Sequence, residues 1–80
     1  MRPLAQDPMF PTIAKWIVRE DNVSQTVSIS QLQRLFSFGF ARAGKIMDQL
    51  TQAGFVGPEK GSKARDVIVS REQIDSMYGD

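Results

Sequence analysis

The sequence has no cysteine, no histidine and no long apolar run. Without cysteine it can form neither a disulfide framework nor a thiolate metal site. Without histidine it lacks the commonest general base and the commonest metal ligand. No apolar run approaches the roughly 20 residues that a membrane-spanning helix needs, so we expect a soluble chain. These absences disfavour an enzyme, a metalloprotein and a membrane protein, and we expect no catalytic residue, metal or cofactor in this chain.

The length of 80 residues leaves room for one compact domain. A domain of this size buries only about two-thirds of its unfolded surface, so two lobes with a cleft between them are not expected. Residues 1–6 lack the charged, apolar and small-residue segments of a secretion signal. We therefore expect a short tail over residues 1–6 and a cytoplasmic location.

Charge is unevenly distributed along the chain, although the net charge is only +1. Residues 1–33 are neutral, whereas residues 34–65 contain six basic and two acidic residues, a net charge of +4. Residues 66–80 contain four acidic residues and one basic residue, a net charge of −3. A basic middle segment favours one surface for a polyanion, and chance clustering on a solvated surface is the alternative.

A first helix is predicted to begin at Asp7 and Pro8, because aspartate caps a first turn and proline is favoured within it. Pro11 is awkward so near the start, and a first turn a few residues later is the alternative. Its apolar positions recur at helical spacing. They are Met9, Phe10, Ile13, Ala14, Trp16 and Ile17. We expect the helix to end near residues 20–22, and Trp16 to pack in the core or at its rim.

A second, short helix has a strong start signal. Ser28 and Gln31 have the spacing of a capping box, and Val27 and Leu32 have that of a hydrophobic staple. The predicted buried face consists of Ile29, Leu32, Leu35 and Phe36. Residues 37–39 interrupt the helical pattern before a longer one begins, which is typical of a helix-turn-helix.

The third helix is predicted over residues 40–53, with Gly54 as a left-handed residue at its end. Its apolar stripe consists of Phe40, Ala43, Ile46, Met47 and Leu50. At 100° per residue, the positions opposite this stripe are Ala41, Lys45, Asp48 and Gln52, with Arg42 and Gln49 at the margins. Such a polar, partly basic face fits a DNA major groove, although every amphipathic helix has a polar face.

A β-hairpin is predicted after this helix, with strands at residues 55–56 and 67–69 around a turn-rich loop over residues 57–64. The loop and its end contain Lys60, Lys63 and Arg65 beside glycine, the composition of a wing that follows phosphates. Residues 71–80 are expected to form a C-terminal tail. Within it, residues 71–78 have weak helical character, and Ile74, Met77 and Tyr78 are available to pack on the core.

These elements predict a mainly α fold with a small β-hairpin. We interpret residues 7–70 as a winged helix-turn-helix domain with three helices and a wing of two to three strands. Such a domain binds double-stranded DNA. The candidate DNA-binding residues are Arg34, Ala41, Arg42, Lys45, Asp48, Gln49, Gln52, Lys60, Lys63 and Arg65.

Three segments of this sequence together resemble the C-terminal gamma domain of the FtsK and SpoIIIE DNA translocases. They are residues 28–36 (Ser-Ile-Ser-Gln-Leu-Gln-Arg-Leu-Phe), 39–43 (Gly-Phe-Ala-Arg-Ala) and 54–63 (Gly-Phe-Val-Gly-Pro-Glu-Lys-Gly-Ser-Lys). The resemblance implies a winged helix that reads short, polar, guanine-rich DNA sequences and orients a hexameric, ATP-driven motor in chromosome segregation. It also implies contact with a Xer tyrosine recombinase, and a parent protein tethered to the membrane at the division septum.

The family's recognition helix typically begins Gly-Tyr-Asn-Arg-Ala-Ala-Arg and has a glutamate three residues further on. The resemblance implies that its asparagine, second arginine and glutamate contact bases, and Ala41, Lys45 and Asp48 occupy these places here. Alanine cannot make the hydrogen bonds of asparagine, lysine has no guanidinium fork, and aspartate is one methylene shorter than glutamate. The base contacts at these three positions are therefore expected to differ from those of relatives.

The motor of the parent protein, with its ATP and Mg²⁺, is expected outside this chain. Two other functions fit the same pattern. One is a free-standing winged-helix regulator that binds DNA, and the other is a winged helix used only for protein contacts. Salt dependence distinguishes the last from the others, because binding to phosphates weakens with a slope of roughly −0.9 per neutralised phosphate.

Replacing Lys63 by alanine should weaken binding to all duplexes by about the same factor. Because one phosphate contact is lost, the slope of log affinity against log salt should become shallower by about 1. Titration of two unrelated duplexes at several salt concentrations measures both quantities. A loss confined to one sequence would show instead that the wing reads bases.

Overall fold

The computed structural model describes residues 7–20, 22–59 and 64–79. These residues form four helices and two short strands. In chain order the elements are α1 (Phe10–Ile17), β1 (Thr26–Val27), α2 (Ile29–Phe36), α3 (Phe40–Gln52), β2 (Arg65–Asp66) and α4 (Arg71–Tyr78). None of the helices in these three ranges is long and apolar enough to cross a membrane.

Helix α1 begins at Phe10 and follows a turn that Asp7 stabilises. The Asp7 carboxylate accepts a hydrogen bond from the backbone N–H of Met9 (2.9 Å), and its carbonyl accepts one from that of Phe10 (2.8 Å). The predicted end near residues 20–22 was wrong, because the helix ends at Ile17. There the buried Asn22 side chain donates a hydrogen bond to the Ile17 carbonyl (2.8 Å), which satisfies an acceptor at the helix end.

Helix α2 begins with the predicted capping box. The Gln31 N–H donates to the Ser28 hydroxyl (3.2 Å), and the Ser28 N–H donates to the Gln31 side chain (2.9 Å). The inward-facing stripe contains Ile29, Leu32 and Phe36, which are three and four residues apart; Leu32 is fully buried, and the other two are partly buried. Leu35 was wrongly predicted to be buried. It lies at the edge of this stripe and is 52% exposed.

The turn between α2 and α3 has a left-handed residue at Ser37 (φ 57°), after which Phe38 enters the core. Helix α3 then runs from Phe40 to Gln52, and Gly54 (φ 78°) is left-handed as predicted. Its buried residues are Ala43, Ile46, Met47 and Leu50. Phe40 was wrongly assigned to this stripe: it is the first residue of α3 and is 69% exposed, whereas Phe38, two residues earlier, is buried.

The sheet differs from the predicted hairpin. Strand β2 pairs antiparallel with β1, a strand that we did not predict, with Thr26 opposite Asp66. The two predicted strands meet at a single bridge between Val56 and Val67. The second strand therefore begins two residues earlier than expected and has a partner before α2. Residues 60–63 of the predicted loop lie outside the described residues.

Helix α4 forms where the tail was expected to have helical character. Ser70 and Gln73 form a second capping box, and Ile74 is fully buried in the core. The Tyr78 ring packs edge-on against Phe10 at 6.4 Å. Met77 is exposed and does not pack on the core, although the sequence made it available to do so.

The core is a single cluster of buried apolar side chains from all four helices and the sheet. Its largest fully buried members are Phe10, Ile13, Ile17, Val27, Leu32, Ile46, Met47, Leu50 and Ile74. Trp16 packs at the rim, edge-on against Phe36 at 6.1 Å, as predicted. Within the described residues, every buried side-chain nitrogen or oxygen has a hydrogen-bond partner.

Leu50→Ala should destabilise the domain by about 2 to 5 kcal/mol, because it leaves a cavity in the fully buried part of α3. Denaturant titration followed by circular dichroism measures the change in the free energy of unfolding. Phe40→Ala is the matched control on the same helix, and its exposed ring should contribute no more than about 0.5 kcal/mol. Equal losses in the two variants would contradict the rotation of α3 described here.

Candidate nucleic-acid interface

Helix α3 buries one side and exposes the other. The exposed side consists of Ala41, Lys45, Asp48 and Gln52, which we call the recognition face. The backbone of α3 runs without interruption through these positions, so their spacing is that of a regular helix. The sequence prediction placed the same four residues opposite the core.

Arg42, at the margin of the recognition face, forms an ion pair with Asp7. Its Nε donates to Asp7 Oδ2 and its Nη2 donates to Asp7 Oδ1, each at 2.8 Å. The guanidinium also lies over the Phe38 ring, 4.3 Å from the ring centre. The hydrogen bond from Arg42, assisted by that from Met9, holds the pKa of the Asp7 carboxyl below its usual range.

Gln49, at the same margin two turns further along α3, also meets Asp7. The backbone N–H of Asp7 donates to Gln49 Oε1 at 3.1 Å. Asp7 therefore joins two of the predicted DNA-binding residues to the segment that precedes α1. Neither the sequence pattern nor the resemblance indicated this role for Asp7, because 35 residues separate it from Arg42.

The remaining basic candidates lie in different surroundings. Arg34 is exposed in the last turn of α2. Arg65 is partly buried, and its Nη1 donates to the Thr51 hydroxyl at 2.9 Å, which ties β2 to the last turns of α3. Lys60 and Lys63 lie outside the described residues.

A series of aromatic contacts fixes the start of α3. Trp16 of α1 meets Phe36 of α2 edge-on, and Phe36 stacks on Phe38 at 5.7 Å with an interplanar angle of 18°. Arg42 lies over the same Phe38 ring. The recognition face is thus oriented by contacts from two other helices, and sequence reasoning did not identify the role of Phe38.

A groove of about 350 Å³ lies beside the recognition face, between α2 and α3. Its lining residues are Ile29, Ser30, Gln33, Phe40, Met47, Glu59 and Arg65. Within the described ranges, no group of three or more acidic side chains is arranged to hold a metal ion.

A helix-turn-helix whose second helix exposes one side, together with a small antiparallel sheet formed by a strand before α2 and a strand after α3, defines a winged helix. Residues 5–70 match the family model described as the Ftsk gamma domain. The chain therefore belongs to the Ftsk gamma domain family, which confirms the resemblance stated from the sequence.

Individual relatives agree with this family. The chain is 50% identical over 54 residues to the DNA translocase FtsK of Corynebacterium efficiens, which covers 68% of this chain and 6% of the relative. It is 45% identical over 53 residues to the DNA translocase SpoIIIE of Bacillus subtilis, covering 66% and 7%. It is 45% identical over 67 residues to the DNA translocase FtsK of Chlorobaculum tepidum, covering 84% and 8%. The chain thus spans less than a tenth of the length of these relatives.

The ion pair between Asp7 and Arg42 makes stability depend on pH. Because folding lowers the pKa of Asp7, the pair stabilises the fold above the ordinary pKa of aspartate and is lost as the pH falls through the lowered value. Asp7→Asn should therefore reduce the free energy of unfolding at pH 7 more than at pH 2.5. Denaturant titration at both pH values measures the difference. The same substitution in an Arg42→Ala background should show a smaller pH effect, and equal effects in both backgrounds would contradict the assignment to this pair.

Proposed function

We propose that this domain is a sequence-specific module that binds double-stranded DNA and recognises polar, guanine-rich sequences. In this role it orients an ATP-driven DNA translocase on the chromosome during segregation. The observation that carries the proposal is the exposed recognition face on α3 of a winged helix, in a family whose relatives are named DNA translocases. The domain contributes binding and orientation, and the chemistry of ATP hydrolysis belongs to a motor elsewhere in the parent protein.

Helix α3 is the element that enters the major groove in this proposal. The second helix of a helix-turn-helix enters that groove, where each base pair presents its own pattern of donors and acceptors. Lys45 lies at the centre of the recognition face, and Asp48 lies one turn further along. The Lys45 ammonium can donate to guanine O6 and N7, and the Asp48 carboxylate can accept from cytosine N4. A guanine-rich strand paired with cytosines satisfies both side chains.

The preference should be weaker than in relatives that have arginine in place of Lys45. A lysine is a compact charge on a flexible stem and lacks the planar, preorganised fork with which a guanidinium contacts guanine, so its contact discriminates less between bases. Ala41 offers only a methyl group, which favours the methyl group of a thymine at that position.

Phosphate contacts from basic residues around α3 position the domain on the duplex. Lys60, Lys63 and Arg65 occupy the predicted wing, and Arg34 is exposed at the end of α2. Such contacts fix the register of a protein on DNA and carry no sequence information themselves. The bond between Arg65 and Thr51 supports the wing base against α3.

The family also suggests a cellular setting for the parent protein. We include in the proposal a tether to the cell membrane at the division septum, which leaves this domain in the cytoplasm. A contact with a Xer tyrosine recombinase belongs to the same setting. The resemblance to FtsK carries both statements, and a pull-down of the recombinase by this domain tests the second.

Lys45→Ala should reduce the preference for a guanine-rich duplex over a scrambled duplex of equal length. One good base contact contributes about 1 to 3 kcal/mol of discrimination, and a lysine contributes toward the lower end of that range. Competition binding of the two duplexes to wild type and variant measures the preference.

Lys15→Ala is the matched control, since it removes the same charge from an exposed position on α1. It should leave the preference between the duplexes unchanged. If Lys45→Ala keeps the wild-type preference, Lys45 acts only through phosphates and the proposed base contact is wrong. Selection of bound sequences from a random duplex library would then give the true target.

A further inference from the structure

We propose that Asp7 is a positioning residue for DNA binding, which holds the Arg42 guanidinium side-on so that its Nη1–Nη2 end binds a phosphate of the DNA backbone. The inference rests on the proposed function, because it requires the recognition face to enter a major groove. It gives a functional role to a residue before α1, far from the recognition helix in sequence.

The ion pair uses only one side of the guanidinium. Arg42 donates to the two carboxylate oxygens of Asp7 through Nε and Nη2. A guanidinium has five N–H donors in one plane. The two donors on Nη1 and the second donor on Nη2 therefore take no part in the pair. One donor on Nη1 and the second donor on Nη2 point the same way at the end of the guanidinium, and such a pair of donors matches two phosphate oxygens.

The two partners of the pair differ in exposure. The Asp7 side chain is 15% exposed, whereas that of Arg42 is 47% exposed. The carboxylate is thus mostly covered by the protein, and the arginine side chain remains accessible to a ligand from solvent.

Several contacts hold both partners in place. Asp7 accepts a hydrogen bond from the Met9 N–H (2.9 Å) and donates its own N–H to Gln49 (3.1 Å). The Arg42 guanidinium rests on the Phe38 ring, which is buried. An arginine fixed in this way loses less rotamer freedom when it binds a phosphate, so its contact contributes more to affinity.

The position of Arg42 fits a phosphate better than a base. It is the third residue of α3 and lies 60° around the helix from Lys45, at the margin of the recognition face. When a helix lies in the major groove, its central side chains meet base edges and its marginal ones meet the sugar–phosphate backbone.

The test is a double-mutant cycle with Asp7→Asn, Arg42→Ala and both together. Affinity is measured for a guanine-rich and a scrambled duplex over a range of salt concentrations. Glu72→Gln is the charge-matched control, since it removes one negative charge from an exposed position on α4. Circular dichroism at the temperature of the binding assay shows that each variant is folded.

The change in DNA affinity caused by Asp7→Asn has one sign if Asp7 positions Arg42 and the opposite sign if Asp7 acts only through its charge. Removal of a negative charge by Asp7→Asn should by itself strengthen binding to DNA, as for Glu72→Gln. Positioning instead predicts that Asp7→Asn weakens binding to both duplexes by about three- to tenfold, with a salt slope shallower by up to about 1. In the Arg42→Ala background, Asp7→Asn should cause no further weakening.

Two results would overturn the inference while leaving the proposed function intact. One is unchanged or stronger binding in Asp7→Asn. The other is the same weakening with and without Arg42, which would give Asp7 a purely structural role at the start of α1. If the wild type binds both duplexes equally, the proposed sequence recognition fails, yet the cycle can still be measured on either duplex. If the wild type binds neither duplex at low salt, the proposed function and this inference both fail.

Discussion

Helix α3 has to be buried on one side and exposed to solvent on the other, and the rest of the domain covers the buried side. Ala43, Ile46, Met47 and Leu50 enter a core that α1, α2, α4 and the sheet complete. Because the burial of these side chains fixes the rotation of α3 about its own axis, it also determines which residues are presented outward. The aromatic contacts of Phe38 with Phe36 and Arg42 add a second constraint near the start of the helix. A misplaced core residue would therefore alter the recognition face as well as the stability.

Local signals in the sequence predicted most of the helical fold. The capping box at Ser28 and the left-handed glycine at Gly54 depend on a few adjacent residues, and both occur in the structure. The exposed positions of Phe40 and Leu35 were not predictable from periodicity, because an apolar residue at the edge of a stripe is buried only if a neighbouring element reaches it. Strand β1 was missed for a similar reason, since two residues are too few to show an alternating pattern.

The candidate site also contains residues that local sequence patterns predict and residues that depend on neighbouring elements. Helical geometry alone placed Lys45 and Asp48 opposite the core, and the structure leaves both exposed. The pairing of Arg42 with Asp7 could not be found in this way, because it depends on how the segment before α1 crosses the flank of α3. Sequence spacing describes one element at a time, whereas the margins of a binding surface are set by its neighbours. Here Asp7 precedes α1 and holds the Arg42 guanidinium of α3 in a fixed orientation.

The pairing of β1 with β2 joins the residues just before α2 to those that follow α3 and the predicted wing. Thr26 lies opposite Asp66, so the helix-turn-helix and the wing together form a loop closed by a few backbone hydrogen bonds. Helices α2 and α3 cannot separate without breaking the pairing of β1 with β2 or exposing their buried side chains. Amide hydrogen exchange in α2 and α3 should then proceed through a common opening event, as a single cooperative unit. Helix α4 lies outside the closed loop, and the burial of Ile74 and the packing of Tyr78 on Phe10 hold it to the domain instead.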